Sequence, residues 1–460
     1  MAAAWLVKDK TFYKRLFLLA LPIALQNIIT YSVGLADNIM VGSLGELSLS
    51  GVYMANQVMT ILQMLVKGLG TCCAVLSTQY WGKRDISSVK NIVGITFKFA
   101  FGLALLFFAL AFFFPRQVLS LYTNESAVID EAFKYLQIIC FSYIFFAITE
   151  SLIASMRCVE TVRIGTMVSL STLVINVSLN WVLIFGNLGA PALGIRGAAI
   201  ATLIARIIET LIMVFYVKRI DKKLHLKVKD LFGSANKLLL KDFFHYGIPI
   251  LAGDLIWSLN MTAQGMIIGR LGSNAIAAIS IANVVFSMVS FGVYGIANAT
   301  SIIIGKTVGE EKYDLVKMYA KTLQIIFLIG GAVTGLILFT LKDIILLIYD
   351  LDSATLGYAR QFLTVLSVTV VGTGYQMSAL TGIVRAGGAT HFVFVNDTIF
   401  VWGVVIPSAL LAAFVFKAEP WIVFACLKCD QILKCFVAIV KVNRFKWIKK
   451  LTRDELTAKS

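Results

Sequence analysis

The stretch LPIALQNIITYSVGLADNIMVGSLG, residues 21–45, returns 227 residues later as IPILAGDLIWSLNMTAQGMIIGRLG, residues 248–272. The two copies align without a gap for nearly seventy residues. Identical residues at matched positions include Pro22 and Pro249, Gly42 and Gly269, Gly45 and Gly272, Gly68 and Gly295, and Lys90 and Lys317. Chance is a poor explanation for so many identities in one register. The sequence therefore predicts two copies of one structural unit.

The composition is that of an integral membrane protein. Of the 460 residues, 59% are hydrophobic and 14% are charged, and the mean hydropathy is +0.85. Soluble domains carry about 25% charged residues, and a membrane-spanning helix needs about 20 predominantly apolar residues. Twelve segments meet that requirement: 15–39, 51–79, 89–114, 133–156, 162–185, 196–217, 243–268, 277–305, 319–341, 360–384, 391–414 and 420–440. We therefore expect an all-α integral membrane protein with twelve transmembrane helices.

The repeat also predicts how the helices are grouped. Six spans, an even number, separate the two copies, so both halves should enter the membrane with the same orientation, as in many secondary transporters. We expect an N-terminal lobe over residues 1–221, a basic cytoplasmic linker over 222–242 and a C-terminal lobe over 243–460. Together these form a parallel 6+6 repeat that ends in a cytoplasmic tail.

Two matched prolines lie inside the spans that open the halves. Pro22 and Pro249 each sit about a turn and a half inside a span, where proline removes a backbone hydrogen bond and kinks the helix. A static bend and a bending element both explain such a proline. The matched pair makes the helix-bending hypothesis worth testing.

The positive charges are distributed unevenly. With the N-terminus inside, the inward loops and tails hold 29 of the 41 lysines and arginines, the outward loops seven and the spans five. This bias predicts that both termini are cytoplasmic. It also predicts a multi-pass protein of the plasma (inner) membrane that contacts anionic lipids. The net charge of +16 therefore reflects orientation, and we expect no nucleic-acid partner.

Several motifs, in order along the whole chain, resemble a known transporter family. They are DNIMVGSLG in span one, TQYWGKRD closing span two, LNWVLIFG in span five, GIRGAAIAT opening span six, GIVRAGGAT after span ten and RFKWIKKLT near the C-terminus. Together they resemble the multidrug and toxic compound extrusion (MATE) family, of the bacterial NorM and DinF kind. The resemblance implies a V-shaped bundle of two six-helix lobes. It also implies export of organic cations or drugs, in exchange for sodium or protons, by alternating access.

One carboxylate at membrane depth is the main candidate for chemistry. A charge there costs roughly 2.5–3.5 kcal/mol or more unless it is paired or faces water, so Asp37 is unusual. Asn176 and Asn180 are four residues apart on one helix face, and Thr202 lies in span six. Their oxygens suit a hard monovalent cation. The asparagines could instead serve only as polar contacts between helices.

The resemblance places the family's ion-site residues at these four positions. Some members carry a second aspartate where this chain has Asn180, so the site charge here is −1. We expect Na⁺ as the coupling ion, because Na⁺ needs several oxygens whereas H⁺ needs only one carboxylate. H⁺ remains the alternative, and no cofactor is expected.

Four further charged residues at membrane depth are candidates for lining the substrate cavity. Glu150 could attract a cationic substrate or neutralise a nearby cation. Lys67 could neutralise Asp37 or Glu150, or extend toward an interface. Asp254 and Asp397 are carboxylates of the second half, and the sequence gives them no definite role.

Two further pairs have the spacing for mutual neutralisation on one helix face. Arg206 and Glu209 are three residues apart, and Asp430 and Lys434 are four apart. We expect both pairs to be structural ion pairs.

Two other classes of protein compete with a cation-coupled multidrug antiporter. An enzyme is disfavoured because the three histidines show no metal-binding spacing and no GxSxG, HExxH or GxxxxGK[ST] motif occurs. A flippase for lipid-linked oligosaccharides takes second place, since its anionic substrate would require several cavity cations and Lys67 is the obvious one. Nothing in the sequence indicates an oligomer, so we expect a monomer.

Overall fold

The computed structural model describes residues 6–347 and 351–454, and these are helical, with no β-strand among them. The first half contains nine α-helices. They are α1 (Lys10–Gly42), α2 (Glu46–Gly82), α3 (Ile86–Phe113), α4 (Pro115–Ser120), α5 (Ser126–Ile139), α6 (Ser142–Cys158), α7 (Arg163–Phe185), α8 (Ile195–Phe215) and α9 (Val228–Phe232). The short helices α4 and α9 lie between longer apolar helices, and α9 falls within the basic linker.

The second half contains eight α-helices over its described residues. They are α10 (Lys237–Gly269), α11 (Ser273–Gly309), α12 (Tyr313–Leu346), α13 (Ser353–Met377), α14 (Thr390–Phe400), α15 (Ile406–Leu410), α16 (Pro420–Leu427) and α17 (Asp430–Asn443). Short π-helical segments extend α13 to Val384 and α14 and α15 to Val415.

The all-α membrane fold is confirmed. Over the described residues, nine helices are long and apolar enough to cross a membrane, and α5 with α6 forms a tenth span that is bent by 53°. The remaining two predicted spans correspond to α10, which is 33 residues long, and to α16 with α17. Each of the twelve predicted spans therefore corresponds to helical structure, and ten of them, counting α5 with α6 as one, are long and apolar enough to cross a membrane.

The sequence predicted one uninterrupted span at residues 133–156, and the structure differs there. α5 ends at Ile139 and α6 begins at Ser142. At this break the Ser142 hydroxyl donates to the Ile139 carbonyl at 2.6 Å, and the Cys140 thiol donates to the Gln137 carbonyl at 3.4 Å. Such local side-chain bonds compete with the helical backbone pattern. They explain why an apolar run without proline is bent.

The structure reproduces the 227-residue repeat at the level of whole helices. α1 and α10 are both 33 residues long, and α2 and α11 are both 37 residues long, with every boundary offset by the repeat length. The turn before the second helix is also matched, because Gly45 has φ 114° and ψ 165° and Gly272 has φ 111° and ψ 165°. Only glycine adopts this region readily. The repeat is therefore structural.

The chain divides into two compact units whose boundaries lie beside the matched prolines. One unit contains the residues up to Ala24 together with Ile248–Arg453, and the other contains Leu25–Gly247 with Asp454. In the first unit, the part of α1 before Pro22 packs on α11. In the second, the part of α10 before Pro249 packs on α2. Each long proline-containing helix thus begins in one unit and continues in the other.

Two glycines pack closely where the part of α1 before Pro22 contacts α11 and the part of α10 before Pro249 contacts α2. A Cβ atom at Gly295 of α11 would lie 2.7 Å from the Ala20 carbonyl oxygen and 2.8 Å from the Ala24 Cβ. A Cβ atom at Gly247 of α10 would lie 2.9 Å from the Cys72 Sγ. All three distances are shorter than ordinary Cβ contacts, so glycine at these two positions lets the helices approach closely, as is common in membrane helix packing.

Candidate functional site

Within the unit formed by Leu25–Gly247, the four residues predicted to form an ion site lie together. The Asn180 side-chain amide of α7 donates hydrogen bonds to the Asp37 carboxylate of α1 and, at 3.2 Å, to Asn176 Oδ1. The Asn176 amide in turn donates to Thr202 Oγ1 of α8 at 3.1 Å. Three helices therefore contribute to one continuous polar cluster.

The hairpin of α7 and α8 fixes two of these three helices. α7 ends at Gly186, which adopts the left-handed conformation with φ 75°, as is common at helix C-termini. The chain then returns, and the Leu193 amide donates to the Leu183 carbonyl at 2.9 Å. Gly197 of α8 contacts the Leu183 backbone where a side chain would not fit. This close packing brings Thr202 opposite Asn176.

The cluster contains one oxygen atom that no donor satisfies. Asn176 and Asn180 are both 0% exposed. Within the described part of the chain, Asn180 Oδ1 is buried and accepts no hydrogen bond. Leaving a buried acceptor unpaired costs about 1–3 kcal/mol. A buried oxygen that has no donor and lies near a carboxylate is better explained as a cation ligand than as a purely structural contact.

Tyr135 of α5 is a further member that sequence reasoning missed. Its buried side chain interacts through its hydroxyl with Thr202 and with Asn56 of α2. A tyrosine in an apolar span has no distinguishing sequence signal, since aromatic residues are common there. Its position shows that the polar cluster extends beyond the four predicted oxygens.

Arg206 is the positive charge that acts on Asp37, but its guanidinium is already paired. Arg206 Nη1 lies 2.6 Å from Glu209 Oε2, and the guanidinium also lies over the Phe146 ring at 5.4 Å. The predicted Arg206–Glu209 ion pair is thus confirmed. Within the described residues, Asp37 forms no ion pair of its own.

Lys67 and Glu150 interact electrostatically with each other in the same unit. Glu150 is the negative charge acting on Lys67, while Arg157 and Arg206 oppose it. Of the alternatives for Lys67, an attraction to Glu150 is thus present, but no ion pair joins Lys67 to either carboxylate among the described residues, so its role stays a prediction. Arg157 also donates to Gln26 Oε1 at 2.7 Å.

The carboxylates of the second half belong to a separate set of contacts, all within the unit that contains Ile248–Arg453. Lys434 Nζ lies 2.9 Å from Asp397 Oδ1 and 3.1 Å from Asp430 Oδ2, which confirms the predicted Asp430–Lys434 pair. Asp254 of α10 interacts electrostatically with Arg385. Asp254 and Asp397 therefore have charged partners within their own unit.

Comparison with known proteins identifies the family. A family model described as MatE matches the chain twice, over residues 22–182 and 249–411. The chain belongs to the MATE family. Both matches begin at the repeated prolines, Pro22 and Pro249, and MATE proteins are multi-pass membrane transporters. The resemblance first seen in the motifs is thus confirmed.

Similar proteins occur in Bacillus subtilis and Thermotoga maritima. The chain is 26% identical over 416 residues to the probable multidrug resistance protein YoeA of Bacillus subtilis, covering 88% of each protein. It is 23% identical over 454 residues to the probable multidrug resistance protein NorM of Thermotoga maritima, covering 96% of this chain and 95% of that protein.

The fold likewise matches a solved MATE structure. Superposition on the crystal structure of MATE in the bent conformation gives a TM-score of 0.84 at 17% identity, with 97% of each chain covered. This likeness shows the fold.

Proposed function

We propose that this MATE protein is a secondary antiporter that exports organic cations or drugs in exchange for an inward-moving cation. The observation that carries the proposal is the cluster of Asp37, Asn176, Asn180 and Thr202, in which the two asparagines are buried and Asp37 and Thr202 are half-buried. It offers one negative charge and several oxygens to an ion whose binding would be coupled to the position of three helices.

Sodium suits this cluster better than a proton. A proton needs one carboxylate oxygen, whereas Na⁺ must replace most of its water shell with other oxygens. Asp37 supplies charge, the two asparagine carbonyls and the Thr202 hydroxyl supply neutral oxygens, and Asn180 Oδ1 has no competing donor among the described residues. In this mechanism Na⁺ is a transported substrate that binds at Asp37.

The names of the relatives support the assignment of the exported substrate. YoeA and NorM are both named as probable multidrug resistance proteins. By analogy, we propose that this chain also exports drugs from the cell. The bias of basic residues supports an orientation in the plasma membrane with both termini cytoplasmic. We further propose that the protein works as a monomer.

The charges of the first half argue against a flippase of anionic lipid-linked sugars. The described charges around the polar cluster are three cations, Lys67, Arg157 and Arg206, and three carboxylates, Asp37, Glu150 and Glu209. These charges balance. An anionic substrate would be better served by an excess of cations, whereas Asp37, which forms no ion pair among the described residues, is able to attract a cation.

Alternating access requires helices that change shape, and the prolines are suitable elements for this. α1 and α10 continue through Pro22 and Pro249 without interruption. The boundaries between the two compact units lie beside these two prolines. We propose that these helices bend at the prolines as the two units move relative to each other.

The test is transport of ethidium in proteoliposomes under separately imposed gradients. The purified protein is reconstituted, and dye movement is followed with a Na⁺ gradient at equal pH and then with a pH gradient without Na⁺. The proposal predicts dye transport driven by Na⁺ alone. Transport driven fully by the pH gradient and unaffected by Na⁺ would instead make Asp37 a proton carrier. Absence of dye transport under both gradients would contradict the export function.

A further inference from the structure

A buried lysine at the break in the last span has no role in the proposed exchange. Lys428 lies between α16 and α17 and is 3% exposed. Its side chain is therefore enclosed by the protein. A lysine ammonium carries a full charge and three hydrogen-bond donors, and burying it is costly unless it is matched by suitable partners.

The partners of Lys428 form a small site for an ammonium group. Lys428 Nζ donates to Gln264 Oε1 of α10 at 3.2 Å. It also lies 5.0 Å from the centroid of the Phe286 ring and 5.7 Å from that of the Phe424 ring. Two aromatic faces and one carbonyl oxygen are the surroundings that proteins use to bind organic ammonium ligands.

No carboxylate is paired directly with this ammonium within the described residues. Asp430 contributes attraction from two residues away. Its carboxylate, however, lies 3.1 Å from Lys434 Nζ and also accepts from Gln431 Nε2. The charge of Lys428 is therefore stabilised mainly by the aromatic faces and the Gln264 carbonyl.

The internal repeat relates the Lys428 site to the Asp37 cluster. Gln264 occupies in α10 the position that Asp37 occupies in α1, since the two residues are separated by the repeat length of 227. In one half this position carries a carboxylate without an ion pair among the described residues. In the other half it carries a neutral amide that binds a lysine of the same chain.

We propose that Gln264, Phe286 and Phe424 form an ammonium-binding site and that Lys428 is its permanently tethered occupant. The half of the chain that contains α10–α17 thus carries its cation covalently, whereas the Asp37 cluster must take its cation from solution. If the proposed exchange is correct, the position of Gln264, which is the repeat equivalent of Asp37, therefore binds no second exchangeable cation.

Chemical rescue tests the site directly. Lys428→Ala removes the equivalent of n-propylammonium, so added n-propylammonium chloride should re-occupy the pocket. In the purified full-length protein, we expect this cation to raise the melting temperature of Lys428→Ala by about 2–4 °C more than that of the parent. The neutral n-propanol should not. Lys441→Ala is the matched control, because Lys441 also lies over an aromatic ring, 3.8 Å from the Phe392 centroid, but is only half-buried.

The rescue experiment distinguishes an ammonium-binding site from simple filling of space. Selective rescue of Lys428→Ala by the cation supports the site. Equal effects of the cation and the alcohol, or rescue of neither, would mean that Lys428 merely fills space and would overturn it. Rescue of Lys441→Ala to the same degree would also overturn it, because burial in the pocket would then be irrelevant.

A second measurement covers the case in which Lys428→Ala does not fold. Lys428→Met keeps length and apolar stem, and it is combined with Phe286→Leu in a double-mutant cycle of melting temperatures. We expect the two changes to be coupled, with Phe286→Leu costing less once the charge is gone. Additive effects would contradict the site. Neither measurement reads transport, so Na⁺-driven ethidium export that persists while both fail would overturn this inference alone.

Discussion

The side-chain amide of Asn180 donates to the carboxylate of Asp37, from a residue 143 positions away in the chain. The same amide nitrogen also donates to Asn176 at 3.2 Å, while the Asn180 carbonyl oxygen has no donor among the described residues. Asn180 thus joins the charge to the neutral oxygens, and its substitution tests whether the cluster binds a cation.

Two substitutions of Asn180 should change the apparent Na⁺ affinity in opposite directions. Asn180→Ala removes one oxygen and should raise the Na⁺ concentration for half-maximal dye efflux by about tenfold, since contacts to charged groups are worth about 1.5–3 kcal/mol. Asn180→Asp adds a second negative charge and should lower that concentration. The measurement is ethidium efflux against Na⁺ at fixed pH. Asn298→Ala, an exposed asparagine of α11, is the control. Unchanged values in both variants would remove Asn180 from the site.

The Na⁺ dependence of dye efflux should require the hydroxyl of Thr202 but not its methyl group. Thr202 Oγ1 accepts from Asn176 at 3.1 Å, so Thr202→Ala removes both a candidate ligand and the anchor of the Asn176 amide. We expect weaker Na⁺ dependence in Thr202→Ala and near-parental dependence in Thr202→Ser. The same efflux titration reads both variants. Equal loss in the two would show that the methyl packing, and not the hydroxyl, is what counts.

The sequence was most informative where a side chain contradicts its surroundings. Asp37 stands out because a carboxylate in an apolar span is costly, and Asn176 and Asn180 stand out because four-residue spacing places them on one face. Thr202 joined the set through the family resemblance. The repeat and the helix boundaries followed from identities in register. All of these are local or periodic signals.

What the sequence did not reveal depends on how helices pack. Tyr135 interacts with Thr202 through the packing of α5 near α8, which no sequence signal indicates. Lys428 could be found as a charge at membrane depth, but its contact with Gln264 joins helices 164 residues apart in the chain. Likewise, the attraction between Lys67 and Glu150 depends on the packing of two helices and has no signal in the sequence.

The Arg206–Glu209 pair should be structural, with a large cost when it is broken on one side. The two charges are 2.6 Å apart and largely buried. Removing one partner of a buried pair leaves an uncompensated charge and costs about 3–5 kcal/mol. Glu209→Gln should therefore lower the melting temperature markedly. The double variant Arg206→Met with Glu209→Leu should recover most of that loss. A single variant as stable as the parent would show that solvent already screens the pair.

Replacing the α1 proline should stabilise the helix and slow transport. Proline inside a helix costs about 3 kcal/mol relative to alanine, so Pro22→Ala should raise the melting temperature and reduce the rate of ethidium efflux. Pro420→Ala is the control, because Pro420 lies in the first turn of α16, where proline is well tolerated. Efflux at the parental rate in Pro22→Ala would leave the proline with a static role.

The central claim is that the Asp37 carboxylate binds the coupling cation, and Asp37→Asn tests it most directly. Asparagine keeps the size of the side chain and an oxygen that can accept from Asn180, so the variant should fold with a melting temperature at or above that of the parent. The loss of the charge should remove coupling.

The decisive measurement is the initial rate of Na⁺-driven ethidium export in proteoliposomes containing equal amounts of the parent or Asp37→Asn protein. The account predicts that an inward Na⁺ gradient at constant pH drives export by the parent. It predicts a fall of about tenfold or more in Asp37→Asn. Export by Asp37→Asn at the parental rate, with the same dependence on Na⁺, would contradict it.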